Sequence, residues 1–171
     1  MDDLDSGGTR GVYDEHAAAL SRYVQLLTGD RGQAANVVAE TLWRARQHPD
    51  VAEMPVPSAR AWLFTDARNT IIDNQRSAGL SNDTGSPDSL WRDGATPEEV
   101  NAAVDRLLLG DALAQLPANH RAAIRCAYYQ HRTTTQIAAD LHIEEATVKP
   151  ILHGAMRALQ LRLRAVGVAL Q

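Results

Sequence analysis

The chain has 171 residues, a formal net charge of -4, 44% hydrophobic and 22% charged residues, which excludes a disordered polyelectrolyte and leaves room for one ordinary domain or two small ones. Three Trp, four Tyr and one Phe in an Ala/Leu-rich background argue for helices and against a β-sandwich or barrel. The lone Cys126 excludes an internal disulfide framework and a four-cysteine zinc site.

Val12, His16, Leu20, Tyr23, Val24 and Leu27 recur at helical spacing, and Thr28-Gly29 stops the run. Asp30 then caps a second helix, with Gln33 three positions on to close a capping box. Its buried stripe is Ala34, Val37, Val38, Thr41, Leu42 and Ala45, and Pro49 ends it. Pro55 and Pro57 mark a loop, after which Ser58 opens a third helix through Trp62, Leu63, Ala67, Ile71 and Ile72 to about Ser77. The stretch 79–96 has no periodicity and is dense in Gly, Ser, Asn, Asp and Pro, the composition of a flexible linker.

A second helical block opens at Thr96-Pro97-Glu98-Glu99, which combines an N-cap, a first-turn proline and a capping glutamate. Val100, Val104, Leu107 and Leu108 form its stripe, and a further helix follows Leu116-Pro117 to about Tyr129. Thr133 and Gln136 form another capping box before a short helix with Ile137, Ala138 and Leu141. A last helix runs through Val148, Leu152, Ala155 and Leu159. Two short helices, a tight turn and small Ala138 at the crossing read as a helix-turn-helix, with an ordinary helical hairpin as the alternative.

The expected architecture is all-α: domain 1–78, an acidic linker 79–96, and a helix-turn-helix domain 97–171. Charge follows the same division. Residues 1–79 carry -3, residues 80–100 carry -4, and residues 101–171 carry +3. No apolar run approaches the roughly 18 residues of a membrane span. The acidic start, Met1-Asp2-Asp3-Leu4-Asp5, lacks the basic-then-apolar order of a secretory signal, so the expected location is the cytoplasm.

In the first block, Leu27-Thr-Gly-Asp30, Val37-Val-Ala-Glu-Thr-Leu42 and Ala59-Arg-Ala-Trp-Leu-Phe-Thr-Asp-Ala-Arg-Asn-Thr-Ile-Ile-Asp73 resemble domain 2 of extracytoplasmic-function (ECF) sigma factors. In the second, Leu116-Pro-Ala-Asn-His-Arg121, Thr135-Gln-Ile-Ala-Ala-Asp-Leu141 and Ala146-Thr-Val-Lys149 resemble domain 4 of the same family. The resemblance implies a transcription initiation factor. Domain 2 would bind the clamp helices of the RNA polymerase β′ subunit and capture the opened -10 element. Domain 4 would hold the β flap and place its last helix in the -35 major groove, while the acidic linker threads the polymerase cleft. An anti-sigma factor is a further partner known for many relatives. No cofactor and no metal is implied.

Residue by residue, Asn69 falls where the family places a polar residue of the extruded-base pocket, and its amide offers both donor and acceptor. Arg60, Arg68 and Arg76 are candidates to track phosphates of that strand, with a solvated helix face as the alternative. Trp62 and Phe64 are candidates to stack bases, and core packing is the alternative for Trp62. Asp73 more readily orders a neighbouring Arg than meets DNA. Polymerase contacts are expected from Val37, Glu40, Thr41, Trp43 and Arg44. In the second block Lys149 and His153 lie four apart on the base-reading face, with Arg132, Thr147 and the Thr133 backbone N–H as phosphate donors. Arg157, Arg162 and Arg164 prolong the basic surface, with solubility or flap contact as the stronger alternative for all three.

Several positions depart from the family pattern. Ala35, Asn36 and Ala39 stand where acidic, acidic and Gln residues are usual, and Arg46 where a Trp is usual, with Trp43 near enough to replace it in packing. Pro150 falls inside the recognition helix, Ile151 and Gly154 replace arginines, and His142 replaces the turn glycine. A second function class follows: a sigma-like regulator with weakened polymerase or -35 contacts, acting through protein partners. An enzyme is the weakest class, because no Walker lysine, nucleotide-binding glycine fingerprint or nucleophile elbow occurs and the six histidines lack metal-ligand spacing.

Overall fold

The computed structural model describes the backbone of residues 6–79 and 94–168, and every element among them is helical. Most of the predicted linker (residues 80–93) and the side chain of Val12 lie outside the described residues. The chain forms two compact units, Met1–Leu108 and Leu109–Gln171.

The first unit begins with α1 (Ser6–Thr28), which ends at Gly29 in the left-handed region, φ 68°. The Asp30 side chain accepts the Gln33 N–H at 2.9 Å and so caps α2 (Arg31–Gln47). Pro49 opens a short α3 (Pro49–Glu53), an element not anticipated from the sequence, and α4 (Val56–Ser77) starts two residues before the predicted Ser58. Proline explains both: at the first turn its missing N–H is no loss and its φ is already helical. Leu20, Tyr23 and Val24 of α1 and Leu63, Phe64 and Ala67 of α4 have no exposed surface. Tyr23 and Phe64 meet edge to face, their ring centroids 5.0 Å apart.

The next helix, α5 (Pro97–Ala114), carries the predicted capping box: the Thr96 N–H donates to the Glu99 carboxylate at 2.8 Å, and the Glu99 N–H donates to the Thr96 hydroxyl at 3.3 Å. The boundary between the compact units falls within this helix, after Leu108, rather than at the 79–96 stretch. Composition marks where a chain can be irregular; it does not mark which side of that stretch a helix will pack on.

The second unit contains the end of α5, α6 (Ala118–Ile124), one π-helical turn (Arg125–Tyr129), α7 (Thr134–Leu141) and α8 (Glu145–Ala165). The Gln130 N–H reaches the Arg125 carbonyl at 3.1 Å across that turn. One core cluster joins Ala112 and Leu116 to Ile124, Ala155, Leu159 and Leu163. A second joins Cys126, Ile137, Ala138 and Val148, so the helix-turn-helix core is the one its sequence spacing indicated. Cys126 is a free, buried thiol.

Candidate nucleic-acid and polymerase interface

In α2 the buried stripe and the candidate contact residues must be separated. Val37 and Thr41 are 2% and 0% exposed, so they support the helix from beneath and cannot touch a partner. Ala35, Asn36, Ala39, Glu40 and Trp43 form the exposed side. Trp43 is 61% exposed and therefore does not replace the missing family Trp in packing. Arg44 is drawn inward. One of its guanidinium nitrogens donates to the Thr70 hydroxyl at 2.8 Å and lies 3.4 Å from both Asp66 carboxylate oxygens, and the other pairs with Glu40. Arg44 thus ties α2 to α4 and neutralises the charge of Glu40.

On α4, Trp62, Asn69, Asp73 and Arg76 fall on one face at 3.6 residues per turn. Asn69, Asp73 and Arg76 are exposed, and Trp62 is half-buried with its ring centroid 5.9 Å from that of His48. Phe64 is fully buried, so it stacks on Tyr23 and not on a base.

Arg60 does not belong to the Asn69 face. Nine positions separate the two residues, about two and a half turns, which puts them on opposite sides of α4. Its side chain is only 13% exposed. One nitrogen donates to Asn101 Oδ1 at 2.9 Å and the other to Asp105 Oδ1 at 2.7 Å, while the guanidinium lies 5.0 Å from the centre of the Phe64 ring. The three arginines therefore cannot follow one strand. Arg68, half-buried, lies to the side, and only Arg76 shares the Asn69 face.

Buried His16 has an Nε2 without a hydrogen-bond partner among the described residues. Burial, then the nearby Arg60 charge, hold its pKa below the ordinary histidine value, with Glu15 opposing.

In the second unit the capping box of α7 is closed: the Thr133 N–H donates to the Gln136 side chain at 3.0 Å, and the Gln136 N–H to the Thr133 hydroxyl at 3.3 Å. That N–H is already used, so it is not the phosphate donor expected. Arg132 is exposed and approaches Asp140 at 3.6 Å. Glu145, at the start of α8, accepts from the hydroxyls of Thr134 and Thr135 at 2.9 and 3.0 Å, a brace that no sequence motif indicated. Thr147, Lys149 and His153 are exposed, and Lys149, His153 and Arg157 make one stripe at i, i+4 and i+8.

Helix α8 is uninterrupted through Pro150, which is exposed in its second turn. Pro150 has no N–H for the Ala146 carbonyl, which stands at the exposed end of the helix. His142 takes the left-handed conformation, φ 54°, that a glycine would adopt without strain, and His131 does the same at φ 50°. The two residues bracket α7. Ile151 is half-buried, and a Cβ at Gly154 would meet the His120 ring at 3.8 Å.

A separate cavity of about 520 Å³ in the second unit is walled by Leu113, Ala114, Ile124 and Tyr129 and edged by Arg121 and Arg125. Arg121 also donates to the Ala114 carbonyl at 2.9 Å, closing the end of α5. No helix among the described residues is long and apolar enough to cross a membrane, and none of their His, Cys, Asp and Glu side chains gather into a metal-binding group.

Residues 12–80 match the family described as Sigma-70 region 2, and residues 112–161 match Sigma-70, region 4. The chain is 58% identical over 160 residues to the ECF RNA polymerase sigma factor SigL of Mycobacterium tuberculosis, covering 93% of this chain and 90% of the relative. It is 27% identical over 131 residues to RpoE of Cereibacter sphaeroides, covering 75% and 69% of the two chains. With BldN of Streptomyces coelicolor the identity is 22% over 151 residues, covering 86% and 57%. The chain belongs to the extracytoplasmic-function family of sigma-70 RNA polymerase sigma factors.

Proposed function

We propose that this chain directs core RNA polymerase to promoters in the cytoplasm, with the Asn69 face of α4 at the opened -10 element and the α8 stripe at the -35 element. As in its family, it acts as an initiation factor, and the bond-forming chemistry belongs to the polymerase. The observation that carries the -35 assignment is the exposed row Lys149, His153 and Arg157 on the second helix of a helix-turn-helix. The first turns of such a helix meet base edges, and its cations meet phosphates.

On α4, Asn69 offers the donor and acceptor that an extruded base needs, and Arg76 lies two turns on for the adjoining phosphate. The exposed side of α2, with Trp43 as an apolar anchor, is the surface offered to the β′ clamp helices. The apolar cavity edged by Arg121 and Arg125 is a place for the β flap. An anti-sigma factor would compete for these same surfaces.

The regulator reading rests on the altered contact positions of α2 and α8, of which Pro150 threatened the helix itself. That residue leaves the Ala146 carbonyl without its helical partner but does not interrupt the helix, and the initiating role stands ahead of it. Run-off transcription with purified core polymerase tests the proposal. A promoter-specific transcript that weakens with Asn69→Ala, while core binding is retained, is expected. Equal loss of core binding and open-complex formation would remove the role given to Asn69.

A further inference from the structure

Helix α8 opens on an acidic side chain, Glu145, four positions ahead of Lys149. An anion placed four residues before a cation is the spacing at which charges pair along a helix. That pair does not form. Glu145 Oε1 instead accepts from the hydroxyls of Thr134 and Thr135, at 2.9 and 3.0 Å, in the first turn of α7. Among the described residues no donor reaches Glu145 Oε2, and Lys149 makes no ion pair. Both side chains are exposed. The carboxylate is therefore held in one place by its first oxygen and keeps its second for a ligand.

At 3.6 residues per turn Glu145 heads the exposed row that continues with Lys149, His153 and Arg157. Lys149 and Arg157 can only donate hydrogen bonds, whereas a carboxylate can only accept them. In the major groove the outward-facing donors are the exocyclic amines, N4 of cytosine and N6 of adenine. Adenine sets the N7 acceptor beside its amine, which opposes a carboxylate; cytosine presents the amine alone. Guanine O6 and N7 in the same or the adjoining pair then suit the Lys149 ammonium. The anion also lowers affinity for every duplex, because it faces phosphates. The two threonine bonds oppose its turning away, so a base without an amine leaves Oε2 desolvated and unpaired. A wrong base is thus disfavoured by more than the loss of one bond.

We propose that Glu145 is a specificity-determining residue of the -35 contact: its Oε2 accepts from N4 of a cytosine, and Thr134 and Thr135 are the positioning residues that aim it. This rests on the assignment of α8 to the -35 element proposed above. A brace between α7 and α8 needs only an acceptor for the two hydroxyls, which a glutamine side-chain carbonyl supplies equally well. Reading cytosine needs the second oxygen too.

The test uses the full chain assembled with core polymerase and a set of promoter duplexes that share one -10 element. Each -35 base pair is replaced by the other three in turn, and relative affinities are read by competition. Wild type is expected to prefer cytosine at one position by about tenfold or more. Glu145→Gln keeps the acceptor for Thr134 and Thr135, so the thermal midpoint of the chain should hold. The cytosine preference should fall to about twofold or less, with the other positions unchanged and a duplex with scrambled -35 bound more tightly. Thr134→Val/Thr135→Val, which keeps the carboxylate but frees it to turn, should cut the same preference by about threefold. Wild-type base preferences at every position in Glu145→Gln overturn the proposal and leave Glu145 a brace. Equal loss of preference at every position marks a loosened helix and overturns it as well, as does a wild type without a cytosine preference at any position. Wild type indifferent to the whole -35 element overturns the assignment of α8, and this proposal with it.

Discussion

The two units differ in what ties their helices together across the core. In the first, Arg44 and Arg60 are turned inward: Arg44 ties α2 to α4 through Asp66 and Thr70, and Arg60 ties α4 to α5 through Asn101 and Asp105. The exposed face of α4 carries Asn69, Asp73 and Arg76, with Arg76 its one exposed cation. In the second unit the helix-turn-helix is held by apolar contacts and hydroxyl braces, and Lys149, His153 and Arg157 remain on the outer side of α8. The difference suits the two ligands proposed above. An opened strand is read by an amide edge in a pocket, whereas a duplex is first held by its phosphates.

If that contrast is right, removing a cation from each unit must give opposite results. Arg44→Ala is expected to destabilise the first unit by about 2 kcal/mol, because Asp66 and buried Thr70 lose their partner. Urea denaturation followed by circular dichroism reads the loss. Lys149→Ala is expected to change stability by less than about 0.5 kcal/mol while weakening binding to a -35 duplex by about 1–3 kcal/mol and reducing the salt slope by about 1. Titrations at several salt concentrations, in complex with core polymerase, separate those quantities. A Lys149 variant that unfolds early, or an Arg44 variant as stable as wild type, would break the comparison.

A smaller effect sharpens it on the structural side. Replacing His142 by Gly relieves the left-handed conformation at φ 54° and is expected to raise the thermal midpoint, with a gain of about 1 kcal/mol. The smallest effect is in pH dependence. Burial and Arg60 hold the His16 pKa in the folded chain below its unfolded value, so the unfolded chain binds the proton first. Stability therefore falls as pH drops below about 6.5 and keeps falling until the folded-state pKa is passed. His16→Leu flattens that limb of the pH–stability curve; an unchanged curve would assign the acid sensitivity to other groups.

Much of this was legible from the sequence because it is local. Capping at Asp30, Thr96 and Thr133 needs partners three residues away; Thr96 and Thr133 close both halves of their boxes, whereas at Asp30 only the side-chain half forms and its N–H donates to the Thr28 hydroxyl at 3.4 Å. The core of Ile137, Ala138 and Val148 follows from helical spacing. The burial of Val37 and Thr41 was legible too, since both lie in the apolar stripe of α2, and assigning them to a partner surface conflicted with that spacing. Arg60 was hard to read because its partners are 41 and 45 residues away, across a stretch that looks like a boundary. The opposition of Arg60 and Asn69 on α4 was nonetheless available from their positions alone. The Glu145 brace depends on how α7 and α8 cross, which no single helix pattern encodes.

The most direct measurement is run-off transcription with core polymerase on three templates: an intact promoter, one with the -35 element scrambled, and one with the -10 element scrambled. Transcript from the intact template alone is expected, with Lys149→Ala reducing the intact signal toward that of the scrambled -35 template and Asn69→Ala toward that of the scrambled -10 template. Transcript that ignores both elements, or is unaffected by either substitution, would contradict the assignment of α4 and α8 to the two halves of the promoter.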